Sequence, residues 1–398
     1  MSAEVNQELK AAFETASEFV RPHPELAERA RAGARRRRRR TLAATAGACA
    51  AVLVIAGSAY AAAGHHQHAG ALSRPANSPR VLATVDYQVT QLAVSGRYLY
   101  LLAGQNSLLT AYDAATGKLI RQVHLPNDAP ALAIGPGGLV WLAYSPDQGG
   151  GGPTGVWLLS PDLRLHSAYT GLRTNTILPS GPTTARIADQ HGLVRLQLPM
   201  PGQSGRATAH RVPGSSLGAS PGIAPGWWSG EIGGRIAVLV TNAGVNDGHL
   251  VLAGLPGLRF GGGWQTHISA VTSTGSSLWV TTYTQRNGET SLSGPLVRLD
   301  SRLAVSTPAP MHSSQVLARS ESVWSAGDTI WVATDARGHS LVCFTAGRTI
   351  GPVTTMPVSG EVVALSATAS TVYVNALQPP GSYAPSHVVA YQVPAACR

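Results

Sequence analysis

Charge is scarce in this chain, and nearly all of the positive charge is arginine. Asp, Glu, Lys and Arg make up 13% of the 398 residues, about half the usual share for a soluble domain. Lysine occurs only at Lys10 and Lys118. The formal net charge of +10 raises the question of nucleic acid, but its distribution answers against it. Residues 1–40 hold ten Lys/Arg and six Glu, and the remaining excess is spread thinly with no dense basic stripe. A surface that tracks phosphates needs clustered cations, so no nucleic-acid partner is expected. Three signatures are also missing: a Gly-x-Ser-x-Gly elbow, His-Glu-x-x-His and a phosphate loop. The Gly149–Gly152 run lacks the Lys-Ser/Thr that a phosphate loop needs and reads as a hairpin. No catalytic, cofactor-binding or metal-binding residue is therefore assigned, and no cofactor.

Glycine (44) and proline (27), by contrast, are abundant, and hydrophobic residues reach 44%. That combination predicts many short strands joined by tight turns and excludes a disordered chain. Cysteine is limited to Cys49, Cys343 and Cys397. The last two fall in an expected exported region, where one disulfide is the reading and two buried thiols the alternative.

Thr41 to Gly64 carries no charge and is long enough for a bilayer core, which needs about 20 residues. Arg35, Arg36, Arg37, Arg38, Arg39 and Arg40 stand immediately before it, which places the N-terminal side in the cytoplasm and residues 65–398 outside. The run faces lipid headgroups as a topology determinant. A cleaved signal is the alternative, with Ala59-Tyr60-Ala61 as its site. The weak lipobox at Ala46–Cys49 lacks the usual aliphatic residue.

Ahead of the span, Leu9, Phe13 and Ala16 or Val20 recur at helical spacing before Pro22 and Pro24. This short cytoplasmic helix is either a solvated amphipathic element or a docking helix, so residues 1–34 are the candidate surface for a cytoplasmic partner. Residues 65–79 read as a linker in which His65, His66 and His68 would make at most a weak metal site.

From residue 80 onward one pattern recurs: a turn residue, then alternating aliphatic and aromatic positions. The copies are Gly96-Arg-Tyr-Leu-Tyr100, Gly138-Leu-Val-Trp141, Gly192-Leu-Val-Arg195, Gly234-Arg-Ile-Ala-Val238, Ser277-Leu-Trp279, Asp328-Thr-Ile-Trp331 and Ser370-Thr-Val-Tyr373. The last residues of these copies are separated by 41, 54, 43, 41, 52 and 42 positions. A period of roughly 40–50 residues is that of a four-stranded propeller blade, and strand patterns flank each copy. The final copy stops after its third strand near Val393, and Arg80–Asp86 reads as the strand that completes it.

The segment Leu109-Thr-Ala-Tyr-Asp-Ala-Ala-Thr-Gly-Lys-Leu-Ile120 resembles the blade signature of quinoprotein-like and YVTN-type propellers. Asp113 should accept bonds from turn amides and Gly117 should adopt positive φ. The Leu-Trp-Val and Ile-Trp-Val copies at 277–280 and 329–332 resemble streptogramin-lyase-like and NHL propellers. The N-terminal arrangement resembles actinobacterial single-span envelope proteins, some of them similar to anti-sigma factors, although residues 1–48 hold none of the cysteines of the zinc-type motif. The resemblance implies a fold and little about function. An enzymatic quinoprotein would repeat a Trp-docking motif and carry acidic ligands, which this sequence does not. A lyase-type site would group His and Glu, for which His312, Glu321 and His339 are too loosely spaced.

The expectation is an all-β, seven-bladed β-propeller preceded by a short cytoplasmic helix and one transmembrane helix. Its parts are 1–40 cytoplasmic, 41–64 membrane, 65–79 linker and 80–398 extracytoplasmic propeller. The functional reading is a non-catalytic binding or sensing module for a glycan, peptide or protein. The alternatives are an exported lyase or quinoprotein-type enzyme and a regulator paired with a sigma factor. Trp227, Trp228 and Trp264 sit beside glycines and are candidates for a ligand rim, inter-blade packing being the alternative. The two long intervals place insertions at 146–153 or 170–183 and at 284–294 or 306–320, and such insertions often mark the binding face.

Overall fold

Alternating apolar positions broken by glycine turns give strands along nearly the whole described part of the chain. The structure is a computed structural model that describes residues 79–398 apart from short segments, the longest being 303–316. The expected cytoplasmic helix, Arg35–Arg40, the Thr41–Gly64 span and the histidine linker lie outside the described residues. Among the described residues no helix is long and apolar enough to cross a membrane. Helical structure there is confined to two 3-10 turns, Pro136–Gly138 and Ala395–Cys397.

The described strands form seven antiparallel sheets that follow one another along the chain. Sheet one spans 91–124, sheet two 131–170, sheet three 178–211, sheet four 223–259, sheet five 266–299 and sheet six 320–357. Sheet seven joins three C-terminal strands, 361–392, to Arg80–Val85. Six sheets are rows of four strands. In sheet five, two short strands, Leu292–Ser293 and Val297–Leu299, both pair with Ser277–Thr284, where one continuous strand over Pro295–Asp300 was expected. The chain bends between them at Gly294, whose N–H donates to the Thr282 carbonyl.

The inner strands of neighbouring sheets touch in turn, except that the inner strand of sheet four meets the second strand of sheet three, and the inner strand of sheet seven touches that of sheet one, so the sheets close a ring. Arg80–Val85 pairs with Ser386–Gln392, so the beginning and end of the folded region share one sheet, as Arg80–Asp86 suggested. Side-chain bonds lock this seam: Asn375 Nδ2 donates to the Val89 carbonyl at 3.0 Å and Val89 N–H to Ser386 Oγ at 3.2 Å. All-β rings of this kind are β-propellers, in which only short outer strands are left as edges for pairing with other chains.

The core lies between adjacent sheets. In five of the seven sheets the second strand follows a turn and places an aromatic near its start. Tyr100 packs between sheets one and two, Trp141 between two and three, Trp279 between five and six, Trp331 between six and seven and Tyr373 between seven and one. All five are buried. Two of the expected repeat positions need correction. Arg195 lies in the third strand of its sheet, Gly192–Gln197, not the second. The second strand is Thr184–Asp189, and its residue at the aromatic position is Arg186. In sheet four, Gly233 (φ 54) and Gly234 (φ 74) form the hairpin turn, which puts Ala237, not Val238, at that position. Realigned, the long intervals are the third and the fifth, so the 54-residue second interval was a consequence of the Arg195 alignment.

Candidate functional site

Seven inner strands converging on one axis leave a space between them. A cavity of about 450 Å³ lies there, with residues from every sheet on its wall. In sheets one to three the lining residues sit at the start of the inner strands or just before them, such as Gln91, Ala131 and Thr176, and in sheets four to seven they sit near mid-strand. In sheets one to three the cavity therefore lies at the end at which the chain enters the inner strand. Because neighbouring strands are antiparallel, the connections from second to third strands leave from that same end. These include the ones after Tyr144 and Thr284, where two of the insertions were expected.

A regular strand would show the axis only every second side chain. Here the register slips in the inner strands of sheets five, six and seven, between Ile268 and Ala270, Ser320 and Ser322, and Val362 and Ala364. Such bulges re-aim side chains. Each of these sheets accordingly contributes three consecutive residues to the wall: Ser269 to Val271, Ser322 to Trp324 and Val363 to Leu365. Thr281 supports the first bulge through a 2.7 Å bond to Ser269 Oγ.

The wall is neutral. It is made of aliphatic residues, hydroxyls, the amide of Gln91 and the indoles of Trp228 and Trp324. Gln91 Oε1 accepts from the Leu132 N–H at 3.0 Å and so ties sheets one and two together. Ser229 Oγ and Thr176 Oγ1 are buried without a hydrogen-bond partner among the described residues. Buried hydroxyls left unpaired are costly, and neither oxygen is open to the cavity. Such a wall offers apolar contact and hydrogen bonding.

The residues singled out in the sequence fall in several places. Trp228 is half-buried, packs against the core between sheets four and five, and also lines the cavity. Its indole lies over Gly230, the cross-strand partner of Ala237, so it is part packing and part wall. Trp264 and the side chain of Trp227 lie outside the described residues. Glu321 stands at the sheet-six bulge, while His312 and His339 lie outside the described residues. Among the described residues no three His, Cys, Asp or Glu side chains gather as metal ligands. Cys343 and Cys397 are joined as a disulfide, with Cα atoms 5.9 Å apart. It pins the C-terminal turn to sheet six, where Thr329 Oγ1 also donates to the Cys397 carbonyl at 2.9 Å. The cavity and the bulges that shape it were not found from the sequence.

The ring and its axial cavity define a β-propeller. No family model and no curated protein matches the chain. Solved structures do. The Neurospora crassa Pan2 WD40 domain is 9% identical and covers 81% of this chain and 98% of its own, with a TM-score of 0.52. Kuenenia stuttgartiensis hydrazine synthase is 11% identical over 83% of this chain and 100% of that one, with a TM-score of 0.51. A streptogramin B lyase structure reaches 0.47 at 12% identity, over 79% of this chain and 97% of its own. At such identities the likeness is one of fold alone.

Proposed function

We propose that the chain is a membrane-anchored, extracytoplasmic, non-catalytic binding module that takes a glycan or an extended peptide into its axial cavity. The observation that carries this reading is the neutral wall of aliphatic, hydroxyl, amide and indole groups contributed by every sheet. Counting the interrupted sheet five as a blade, the propeller is seven-bladed. The uncharged Thr41–Gly64 run behind six arginines supports the anchor and its orientation. In this arrangement the bilayer is one partner and residues 1–34 face a cytoplasmic partner.

Probing glycan and peptide arrays with the purified full chain and with Val363→Trp tests the cavity. Val363 sits at a bulge on the wall, and an indole there obstructs it. Ligands captured by the wild type should be lost from the variant, with its melting temperature held. Retention of all ligands by the variant would contradict the reading. Orientation is tested by alkaline phosphatase fusions: active when joined after residue 398 and inactive when joined before Arg35. The reverse pattern rejects the topology.

A further inference from the structure

Five sheets bury a Tyr or Trp at the second-strand position that faces the next sheet, and sheet three carries Arg186 there instead. Its neighbours on the same strand show the direction. Ala185 and Ile187 pack towards sheet two, and Ala188 packs with Leu193, Ile236 and Val238 towards sheet four. Side chains alternate along a strand, so Arg186 faces sheet four. Where an aromatic would have filled the gap there is a cleft of about 570 Å³.

The strand pairing brings more positive charge to that cleft. Arg186 lies directly opposite Arg195, and Arg195 directly opposite His210. All three line the cleft, together with Arg211 and, from the hairpin of sheet four, Arg235. Like charges directly opposed across strands destabilise a sheet, and two arginines of the described residues are neutralised by carboxylates, one of them in this cleft. Arg211 makes a two-pronged ion pair with Asp189, both contacts 3.0 Å, and Arg164 pairs with Asp162 at 2.8 Å. Arg186, Arg195 and Arg235 have no ion pair among the described residues. Glu231, placed on the same face as Ile236 by their pairing, forms none either and is not part of the lining. The rest of the wall is apolar, with Leu193, Val212 and Ile236.

We propose that this cleft is a second binding site, for an organic anion carrying two or more phosphate or sulfate groups. Guanidinium groups grip tetrahedral oxyanions through paired charge-assisted hydrogen bonds. Adjacent strands are about 4.8 Å apart, so the row from Arg186 to His210 spans roughly 10 Å, enough for two anionic groups but more than one needs. The apolar wall takes the ligand's carbon skeleton. The site is separate from the axial cavity and does not depend on how that cavity is used.

The test is a calorimetric titration of the purified full chain with inorganic tripolyphosphate and, separately, with a multiply sulfated disaccharide. Binding of either supports the site, and their ranking separates a phosphate from a sulfate source. Arg186→Gln/Arg195→Gln should weaken binding at least about tenfold, while Arg97→Gln/Arg121→Gln on sheet one should change it less than about twofold. Arg195 is exposed, so Arg195→Gln alone should keep the fold and, by removing a like-charge pair, raise the melting temperature of the unliganded chain. Equal weakening by the sheet-one control, unchanged binding in the double variant, or no binding of either anion to the wild type would overturn the proposal.

Discussion

Gly117 presses directly against the backbone carbonyl of Leu82, so the Asp113–Gly117 turn of sheet one rests on the strand that closes sheet seven. A Cβ at Gly117 would collide with that carbonyl, and the glycine also holds φ at 73. The Arg80 guanidinium donates to the Ala115 carbonyl of the same turn. Gly117→Ala combines backbone strain with displacement of the closing strand, and a loss of about 1–3 kcal/mol is expected. Urea unfolding measures it. A loss below about 0.5 kcal/mol would show that the turn does not support the seam.

The Asp113 carboxylate accepts from the Thr116 hydroxyl and N–H, both at 2.8 Å, and from the Ala115 N–H at 3.1 Å. These bonds, the Thr116 hydroxyl first, hold its pKa below the ordinary carboxylate range. Asp162 is lowered in the same way, by the Ser160 hydroxyl and then by Arg164. A depressed folded pKa means that the unfolded chain binds more protons in acid. The stabilisation is therefore complete above about pH 5, and is lost as pH falls through the unfolded value near 4 and on through the folded one. Melting temperatures taken from pH 6 down to 2.5 should decline less steeply for Asp113→Ala than for the wild type, from a lower plateau. Parallel curves would show that the turn carboxylate contributes nothing.

The indole N–H groups of Trp141, Trp279 and Trp331 are buried without an acceptor among the described residues. Their role is volume between sheets, not polarity. Trp331→Ala should cost about 3–5 kcal/mol. Trp331→Phe keeps most of the packing and removes a buried donor, so its cost should stay under about 1.5 kcal/mol. Chemical denaturation of the two variants decides. Equal losses would mean that the N–H is bonded after all.

The Cys343–Cys397 bridge closes a sequence separation of 54 residues across sheets six and seven. Reduction should lower stability by about 2–4 kcal/mol. Peptide mapping without reductant should recover one linked pair, and free thiols at both positions would remove the bridge from the account.

The architecture was legible because its signal is local. Gly96-Arg97 and the alternation after it announce a hairpin and an inward aromatic at Tyr100, and the same signal recurs at Trp141, Trp279, Trp331 and Tyr373. It misled where the aromatic is missing. Gly192-Leu-Val mimics the start of a second strand, although it opens the third, because the inner strand of that sheet is only Leu178–Pro179 and its second strand carries Arg186 in the aromatic's place. The two sites were not legible because each is made by pairing. The bulges at 269, 321 and 363 arise from register between strands, and Arg186, Arg195 and His210 are far apart until the sheet sets them side by side. Trp228 was legible as an aromatic in a glycine-rich stretch, but its place over Gly230 and against the core between sheets four and five was not.

The central claim is that ligand enters the axial cavity. Hydrogen exchange on the full chain, with and without the glycan or peptide captured most strongly on the arrays, tests it most directly. The account predicts added protection in the inner strands, centred on 131–134, 228–230, 269–271, 322–324 and 363–365, with the outer strands Leu119–His124 and Leu165–Thr170 unchanged. Protection confined to outer strands, with the inner ones exchanging as before, would contradict it.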